Sequence, residues 1–199
     1  MAPIAERTLR AADCEIHCLQ TAEASGRDVL LLHGAAFQAE TWRELGTLEA
    51  LGAAGFRATA ADMPGFGRSA DCSSNKGEVL QAIIESESMN RPVLVGPSRG
   101  GRYSLNFQAA RPDMVGGLVL VGTVGVQDHI DRLRRLDIPC LIVWGSEDDV
   151  SPVSNAHLLH KEIHGSELLI MEGAPHPCYL KQPELWNEKL VDFLRRHFA

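Results

Sequence analysis

The chain contains six short runs of apolar residues, and most of them end at a polar or glycine residue. The runs occupy residues 29–32, 56–61, 93–95, 118–121, 140–144 and 168–171. Their apolar positions are continuous rather than alternating, which is typical of strands covered on both faces, as in a parallel sheet. The residues that follow successive runs are 23 to 34 positions apart, which is the spacing of strand–helix–strand units.

Segments between these runs have the periodicity of helices. Trp42, Leu45, Leu48 and Leu51 form one apolar stripe, which predicts a single helix that stops near Gly55. Two more stripes consist of Tyr103, Phe107 and Ala110, ended by Arg111-Pro112, and of Trp186, Leu190, Phe193 and Leu194, in a helix that starts near Pro183. Strands that alternate with helices predict an α/β fold with a doubly wound, mostly parallel sheet.

The N-terminal segment and the composition complete this picture. Weak alternation over residues 14–19 predicts an antiparallel hairpin at the edge of the sheet. A length of 199 residues, with 45% hydrophobic and 23% charged residues, indicates one globular domain over residues 1–199 and excludes disorder and fibrous repeats. Only 16 residues separate Val121 from Ile138, too few for a multi-helix cap domain, so we expect an open site.

Charge and cysteine usage restrict the partners and the compartment. The formal net charge of −7 disfavours nucleic acids and anionic membranes as partners. No apolar stretch is long enough to span a membrane, and residues 1–12 lack the apolar segment of a secretory signal. The five cysteines are scattered and none forms a CxxC pair, which is typical of a reducing compartment. We therefore predict a soluble intracellular protein.

The strongest chemical signal is Gly96-Pro97-Ser98-Arg99-Gly100, which follows a predicted strand and precedes a predicted helix. The pattern G-x-S-x-G in a strand–turn–helix is typical of a nucleophile elbow. Its sharp turn strains the backbone of the serine, and the small residues on either side let the strand and the helix approach closely. Ser98 is therefore the candidate nucleophile, at a helix N-terminus that favours a developing anion.

A serine hydroxyl needs a base to act as a nucleophile at neutral pH, and two later loops supply candidates. The loop after the run 140–144 contains Glu147, Asp148 and Asp149, and the loop after the last run contains His176. Both loops follow strands at the edge where open α/β sheets place their sites. We predict that His176 is the general base and that Asp148 orients it, with the two neighbouring acids as alternatives for that role.

An acyl-transfer site also needs donors for the oxyanion of the transition state. The backbone N–H of Arg99, just after the nucleophile, is one candidate. The second should come from the loop after the first apolar run, where the N–H of Ala35 is the better candidate and that of Ala36 the alternative. We expect His33 to orient this turn rather than to act as a base. The sequence thus predicts a complete acyl-transfer site.

These motifs resemble those of a known superfamily. HGA, DMPGFGRS, GPSRG, WGSEDD and GAPHP are similar to the motifs of the α/β-hydrolases over nearly the whole chain. More narrowly, TWRELGTLEALGAAGFRA, PSRGGRYSL and GAPHPCYL resemble the α/β-hydrolase domain-containing protein 14 family, and the lack of an N-terminal apolar segment resembles its soluble type. The resemblance implies an α/β-hydrolase fold, a triad of Ser98, Asp148 and His176, and oxyanion donors at Ala35 and Arg99.

The same resemblance implies an activity. It implies cleavage of acyl esters and deacetylation of protein lysines in which coenzyme A accepts the acetyl group. The open site separately predicts little discrimination among short acyl esters. No cofactor is required by this chemistry. A cytosolic or nuclear location and a protein partner from a transcription-related complex are further implications. The charged side chain of Arg99 departs from the superfamily, where apolar residues or Gln are common, and it either binds an acidic substrate group or points away.

Other kinds of site find less support in the sequence. His157, His160 and His164 share one face of a predicted helix, but without an HExxH motif or a cysteine cluster they indicate a solvated face rather than a zinc site. The chain lacks both common phosphate-binding motifs, GxxxxGK[ST] and a helix-opening GxGxxG. Cys178 is interpreted as a packing residue rather than a redox-sensitive thiol. The main alternative to an enzyme is a binding protein that kept the hydrolase scaffold.

Overall fold

The computed structural model describes residues 3–22 and 24–199. Within these residues eight strands form one sheet: β1 (Ile4–Ala11), β2 (Cys14–Thr21), β3 (Asp28–Leu31), β4 (Arg57–Ala61), β5 (Val93–Pro97), β6 (Gly117–Val121), β7 (Cys140–Gly145) and β8 (Glu167–Met171). Their order is β1-β2-β4-β3-β5-β6-β7-β8. Strands β3 to β8 run parallel, whereas β1 pairs with β2 and β2 with β4 in antiparallel fashion. The predicted sheet is confirmed, including its antiparallel N-terminal strands.

Helices connect the strands and cover both faces of the sheet. They are α1 (Ala39–Glu44), α2 (Thr47–Ala53), α3 (Lys76–Ser86), α4 (Arg99–Ala110), α5 (Ile130–Leu133), α6 (Ser154–Glu162), α7 (Cys178–Lys181) and α8 (Pro183–Phe198), with 3₁₀ turns at Pro112–Met114 and Val126–His129. Helices α3 to α6 contribute to the apolar core that contains Leu30. Helices α1, α2, α7 and α8 contribute to the core that contains Val29 and Leu31, on the other face. This is the doubly wound arrangement, because neighbouring residues of β3 point to opposite faces.

The helical stripes were predicted with mixed success. Helix α8 buries the four predicted apolar side chains. The stripe from Trp42 to Leu51 forms two helices rather than one, because Gly46 adopts a left-handed φ of 70° between them. Helix α4 forms as predicted, but it buries Ser104 and Leu105, whereas Ala110 is exposed. Between β6 and β7 the described chain has one 3₁₀ turn and the four-residue α5, so no cap domain covers the sheet there. Among the helices of the described ranges, none combines the length and apolar character needed to cross a bilayer.

Two cysteines form a disulfide, which the scattered cysteines without a CxxC pair did not indicate. Cys14, at the start of β2, is bonded to Cys72, with a Cα–Cα distance of 5.5 Å. The preceding residue, Asp13, accepts hydrogen bonds from the backbone N–H groups of Ser73 (3.1 Å) and Ser74 (3.2 Å). These contacts attach the loop before α3 to the β1–β2 turn. Pairing across 58 residues left no signal in the spacing of the cysteines.

The disulfide makes a prediction about free thiols and stability. Thiol labelling of the denatured protein should modify three cysteines before reduction and five after it, because Cys18, Cys140 and Cys178 are the free ones in the described chain. Replacing both Cys14 and Cys72 with Ser should lower the free energy of unfolding by about 2–4 kcal/mol, since a cross-link restricts the unfolded chain. Mass spectrometry and urea unfolding measure these effects. Five reactive thiols before reduction would show that the bond does not form.

Candidate active site

The candidate nucleophile lies in the turn between β5 and α4. Ser98 adopts φ 52° and ψ −113°, a backbone conformation that non-glycine residues rarely hold. Its N–H donates a hydrogen bond to the carbonyl of Val121 in the neighbouring strand β6, at 2.8 Å. The turn is therefore held from the sheet side, and the serine side chain stands at the C-terminal edge of the parallel strands.

Three glycines around Ser98 let the strand and the helix come close enough to form this turn. A Cβ on Gly96 would lie 2.5 Å from backbone atoms of Gly100 and Gly101. A Cβ on Gly100 would lie 2.9 Å from the carbonyl oxygen of His33, and one on Gly101 would lie 2.2 Å from Thr123 Oγ1. Because each of these distances is below van der Waals contact, the spacing of small residues in the motif follows from packing.

The candidate base and acid meet at the ends of the next strands. His176 follows β8, and its Nδ1 lies 2.8 and 3.0 Å from the two carboxylate oxygens of Asp148, which follows β7. The Asp148 carboxylate also accepts hydrogen bonds from the N–H groups of Val150 (3.0 Å) and Ser151 (2.7 Å). Its side chain is fully buried, whereas 15% of the His176 side chain is exposed. An imidazole bonded through Nδ1 presents Nε2 to its other neighbours.

Of the three acids in this loop, Asp148 is the one whose carboxylate contacts the histidine. The side chains of Glu147 and Asp149 are exposed on either side of it. The turn over residues 148–151, in which the N–H groups of Val150 and Ser151 donate to Asp148, points its carboxylate inward. The geometry therefore favours Asp148 over both alternatives that the sequence left open.

Ser98 and His176 line the same cavity, which has a volume of about 210 Å³. The rest of its wall is mostly apolar and comprises Gly34, Ala35, Ala36, Phe37, Pro97, Val121, Val150, Pro177 and Tyr179. No hydrogen bond joins the Ser98 hydroxyl to the His176 ring, although both side chains belong to the described chain. Such bonds are often long before substrate binds, and they tighten in the complex. The candidate nucleophile and the candidate base therefore face one small cavity.

The candidate oxyanion donors lie around the same cavity. The backbone N–H groups of Ala35 and Arg99 have no acceptor within the described residues. Arg99 is the first residue of α4, where N–H groups lack partners within the helix. Gly34 brings the other loop close, because a Cβ there would lie 3.7 Å from the Cβ of Ser98. The N–H of Ala36, the alternative second donor, likewise has no acceptor in the described chain, so Ala35 stays the predicted donor beside Arg99 and Ala36 the alternative.

His33 holds the loop that contains Ala35. Its Nδ1 lies 2.8 Å from the Gly34 carbonyl oxygen, and its Nε2 accepts the N–H of Met63 at 3.0 Å. Burial lowers the pKa of this imidazole, so the ring stays neutral, with the proton on Nδ1. Both ring nitrogens are thus engaged, which fits the orienting role predicted for this residue.

Comparison with known proteins shows the family of this chain. The profile of the alpha/beta hydrolase family matches residues 29–136. ABHD14B from Homo sapiens, provisionally named a protein-lysine deacylase, is 40% identical over an alignment of 176 positions, and the match covers 84% of this chain and 82% of that protein. The chain belongs to the α/β-hydrolase family. Within this family it is a member of the ABHD14 group, as the sequence motifs indicated, and ABHD14A from Danio rerio is 33% identical over 87% of this chain and 68% of that protein.

This chain is similar along nearly its whole length to the solved structure of a predicted CIB-like hydrolase from Thermoplasma acidophilum. Its TM-score is 0.94 at 27% identity, and the match covers 98% of this chain and 100% of that one. This likeness confirms the predicted α/β-hydrolase fold. Its full coverage also agrees with the absence of an inserted cap domain between β6 and β7 in the described chain.

Two glycines leave room for Asp148, His176 and the loop before the histidine, a role that no motif in the sequence indicated. Gly122 directly follows β6 with a φ of 51°, and a Cβ there would lie 3.1 Å from Asp148 Oδ2 and 3.2 Å from His176 Nδ1. A Cβ on Gly145 would lie 2.2 Å from the carbonyl oxygen of Ala174, in the loop before the histidine. Both glycines directly follow apolar runs, which marked them in the sequence as residues at strand ends. Why glycine is needed at these positions depends on contacts between loops that are distant in the sequence.

The histidines considered as metal ligands do not converge. His157 and His160 lie on α6 and are exposed, while His164 lies beyond the end of that helix. In the described residues one group of potential ligands is close enough to hold a metal, and it consists of Asp13, Cys14 and Cys72. Its two sulfurs form the disulfide, so the group is not a metal site.

Cys178 is a packing residue in this hydrolase. It is fully buried at the start of α7, two residues after His176. Burial raises the pKa of its thiol to about 12, so the reactive thiolate is not populated at neutral pH. The structure thus agrees with the packing interpretation of this thiol.

Proposed function

We propose that this α/β-hydrolase cleaves short acyl groups through a covalent intermediate on Ser98. The observation that supports the proposal best is the buried Asp148 carboxylate bonded to His176 Nδ1, beside a cavity that His176 shares with the strained Ser98. A carboxylate bonded to an imidazole, and a serine lining the same cavity as that imidazole, are the parts of a hydrolytic triad.

The reaction begins when the Ser98 oxygen attacks the acyl carbon. His176 Nε2 takes the hydroxyl proton as the new C–O bond forms, and the carbonyl electrons move onto oxygen, where the N–H groups of Ala35 and Arg99 stabilise the charge. Collapse of this intermediate expels the alcohol or amine, which receives the proton from His176. Asp148 keeps the ring in the tautomer that performs both steps and stabilises its charged form.

Water attacks the acyl-enzyme by the same steps in reverse, which releases the acid and restores Ser98. Coenzyme A is the alternative acceptor in the proposal, through its thiol. An acetylated peptide incubated with and without coenzyme A separates the two, because transfer produces acetyl-coenzyme A and hydrolysis produces acetate. No metal or cofactor is needed for either route.

The cavity favours small acyl groups on the Ser98 side. Its volume of about 210 Å³ lies below that of typical ligand pockets, which are about 300–1,000 Å³. Val150 lines it and is 59% exposed, so an apolar side chain stands at its mouth. We expect acetyl and butyryl esters to react at similar rates and long-chain esters to gain nothing. The name of the relative ABHD14B, a protein-lysine deacylase, adds acylated lysines of proteins as a proposed substrate class.

The location of the enzyme is a separate part of the proposal. The cytoplasm or nucleus stays the prediction from the family resemblance, together with a protein partner. The Cys14–Cys72 disulfide weighs against a reducing compartment, where such bonds seldom persist. Cell fractionation with thiols blocked at lysis tests both points, since it reports the compartment and the redox state of the pair together.

A fluorophosphonate probe tests the central proposal. The folded protein should be labelled in a one-to-one ratio, and peptide mapping should find the phosphonyl group on Ser98, because only an activated serine reacts with this reagent. Heat-denatured protein is the control and should not be labelled. Folded protein that stays unmodified would favour the alternative, a binding protein on a hydrolase scaffold.

Gly96→Ala tests whether the turn geometry is needed for this reactivity. The added Cβ would lie 2.5 Å from the backbone of α4, so the elbow must move by about 1 Å to reach ordinary contact. A displacement of this size costs about 10²-fold in rate at an active site. We expect the probe to react about 10²-fold more slowly. Gly77→Ala is the control, since there a Cβ meets the side chain of Asn75 rather than backbone. Equal labelling rates in both variants would contradict the proposed role of the elbow.

A further inference from the structure

Arg99 follows the candidate nucleophile and extends a guanidinium to the surface. The residue is exposed, and its guanidinium carbon lies 5.9 Å from the centroid of the Phe66 ring. A guanidinium over an aromatic face is held in place by cation–π attraction, while its edge stays free for hydrogen bonds. The side chain is therefore directed to the loop of Phe66 rather than away from the site.

Arg99 has no acidic partner among the described residues. Three other arginines do: Arg43 pairs with Glu40, Arg68 with Glu6, and Arg102 with Asp128. No carboxylate of the described chain therefore lies at salt-bridge distance to compete with an anion bound at Arg99. Its planar donors match a carboxylate or a phosphate.

A second cavity of about 400 Å³ is lined by Phe66, the ring that the Arg99 guanidinium contacts, together with Gln38 and Thr41. Arg99 itself lies outside the wall of this cavity, at its Phe66 edge. The second cavity shares the segment 35–37 with the cavity that contains Ser98. In the proposed function, segment 35–37 supplies an oxyanion donor. A substrate carbonyl bound to that donor therefore lies between the Ser98 cavity and the second cavity. The smaller, apolar cavity suits the acyl chain, which leaves the larger one for the leaving group.

We propose that Arg99 binds an anionic group on the leaving-group side of the substrate, at the Phe66 edge of the cavity bounded by residues 35–37 and Phe66. The preferred substrates are then short acyl compounds whose alcohol, thiol or amine portion has a carboxylate or a phosphate. This inference rests on the proposed acyl-transfer function and adds the substrate class. Binding uses the side chain of Arg99, while its backbone N–H faces the oxyanion.

Matched esters test this inference. 3-Acetoxybenzoate and 3-acetoxyphenyl phosphate present the two anions, and 3-acetoxybenzamide is the neutral counterpart with the same acyl group. We expect the ratio of kcat/KM for an anionic ester to that for the neutral ester to fall at least tenfold in Arg99→Gln and to be partly retained in Arg99→Lys. Comparison of the two anionic esters shows which anion is preferred.

Arg102→Gln is the matched control. It removes the same charge from the same helix at an exposed residue that pairs with Asp128, and it should leave the ratio of the anionic to the neutral ester unchanged. A ratio that Arg99→Gln does not alter, or alters no more than Arg102→Gln, would overturn the inference while leaving the acyl-transfer function intact. If none of the esters is turned over, the inference fails, and probe labelling of Ser98 decides the proposed function independently.

Discussion

Replacing Ser98 with Ala is expected to abolish fluorophosphonate labelling and to lower kcat/KM for a short acyl ester by about 10³-fold or more. The hydroxyl is the atom that forms the covalent intermediate, so its loss leaves only the binding and oxyanion contributions. The substitution should leave the fold intact, because alanine keeps the backbone N–H that donates to the Val121 carbonyl. Steady-state kinetics and a thermal melt measure both effects.

Ser104→Ala is the control for this variant. Ser104 lies on the same helix and its buried hydroxyl donates to the Gly100 carbonyl at 3.0 Å, away from the cavity. It should keep labelling and turnover at the level of the wild type. If Ser98→Ala retains more than a tenth of the ester activity, another residue is the nucleophile, and the triad proposal is wrong.

The strands of this protein were predictable because its sheet is buried on both faces. Residues 93–95 and 118–121 are continuous apolar runs for that reason, and β5 and β6 begin and end within two residues of them. Helix boundaries were less predictable. Gly46 separates two helices within an apolar stripe that has unbroken helical periodicity in the sequence. The Cys14–Cys72 pair could not be foreseen, because it depends on how a loop folds onto a distant turn.

The candidate site was predictable to the level of strand ends and not to the level of side-chain direction. The motif around Ser98 and the order of loops indicated which loops meet. The choice among Glu147, Asp148 and Asp149 depends on which carboxylate points inward, and that follows from hydrogen bonds within the turn. The setting of Arg99 likewise depends on Phe66, 33 positions earlier in the chain, which no local pattern connects to it.

Asp148→Asn is expected to lower kcat by about 10³–10⁴-fold while the protein stays folded. The amide has the shape of the carboxylate, and its oxygen still accepts the N–H groups of Val150 and Ser151. Its NH₂ then faces His176 Nδ1, which must accept, so the ring proton moves to Nε2. An imidazole protonated at Nε2 does not take the proton of Ser98, and the first step of acylation is blocked.

The matched control for this change is Asp149→Asn, which removes the same charge from the adjacent, exposed side chain. Because Asp149 does not touch the histidine, kcat should stay within about twofold of the wild type, in keeping with the weak coupling between exposed charges. A loss in Asp149→Asn that equals the loss in Asp148→Asn would mean that net charge near the cavity, rather than the tautomer of His176, determines the rate. A large loss in Asp148→Asn alone places the effect at Nδ1, where the tautomer is set.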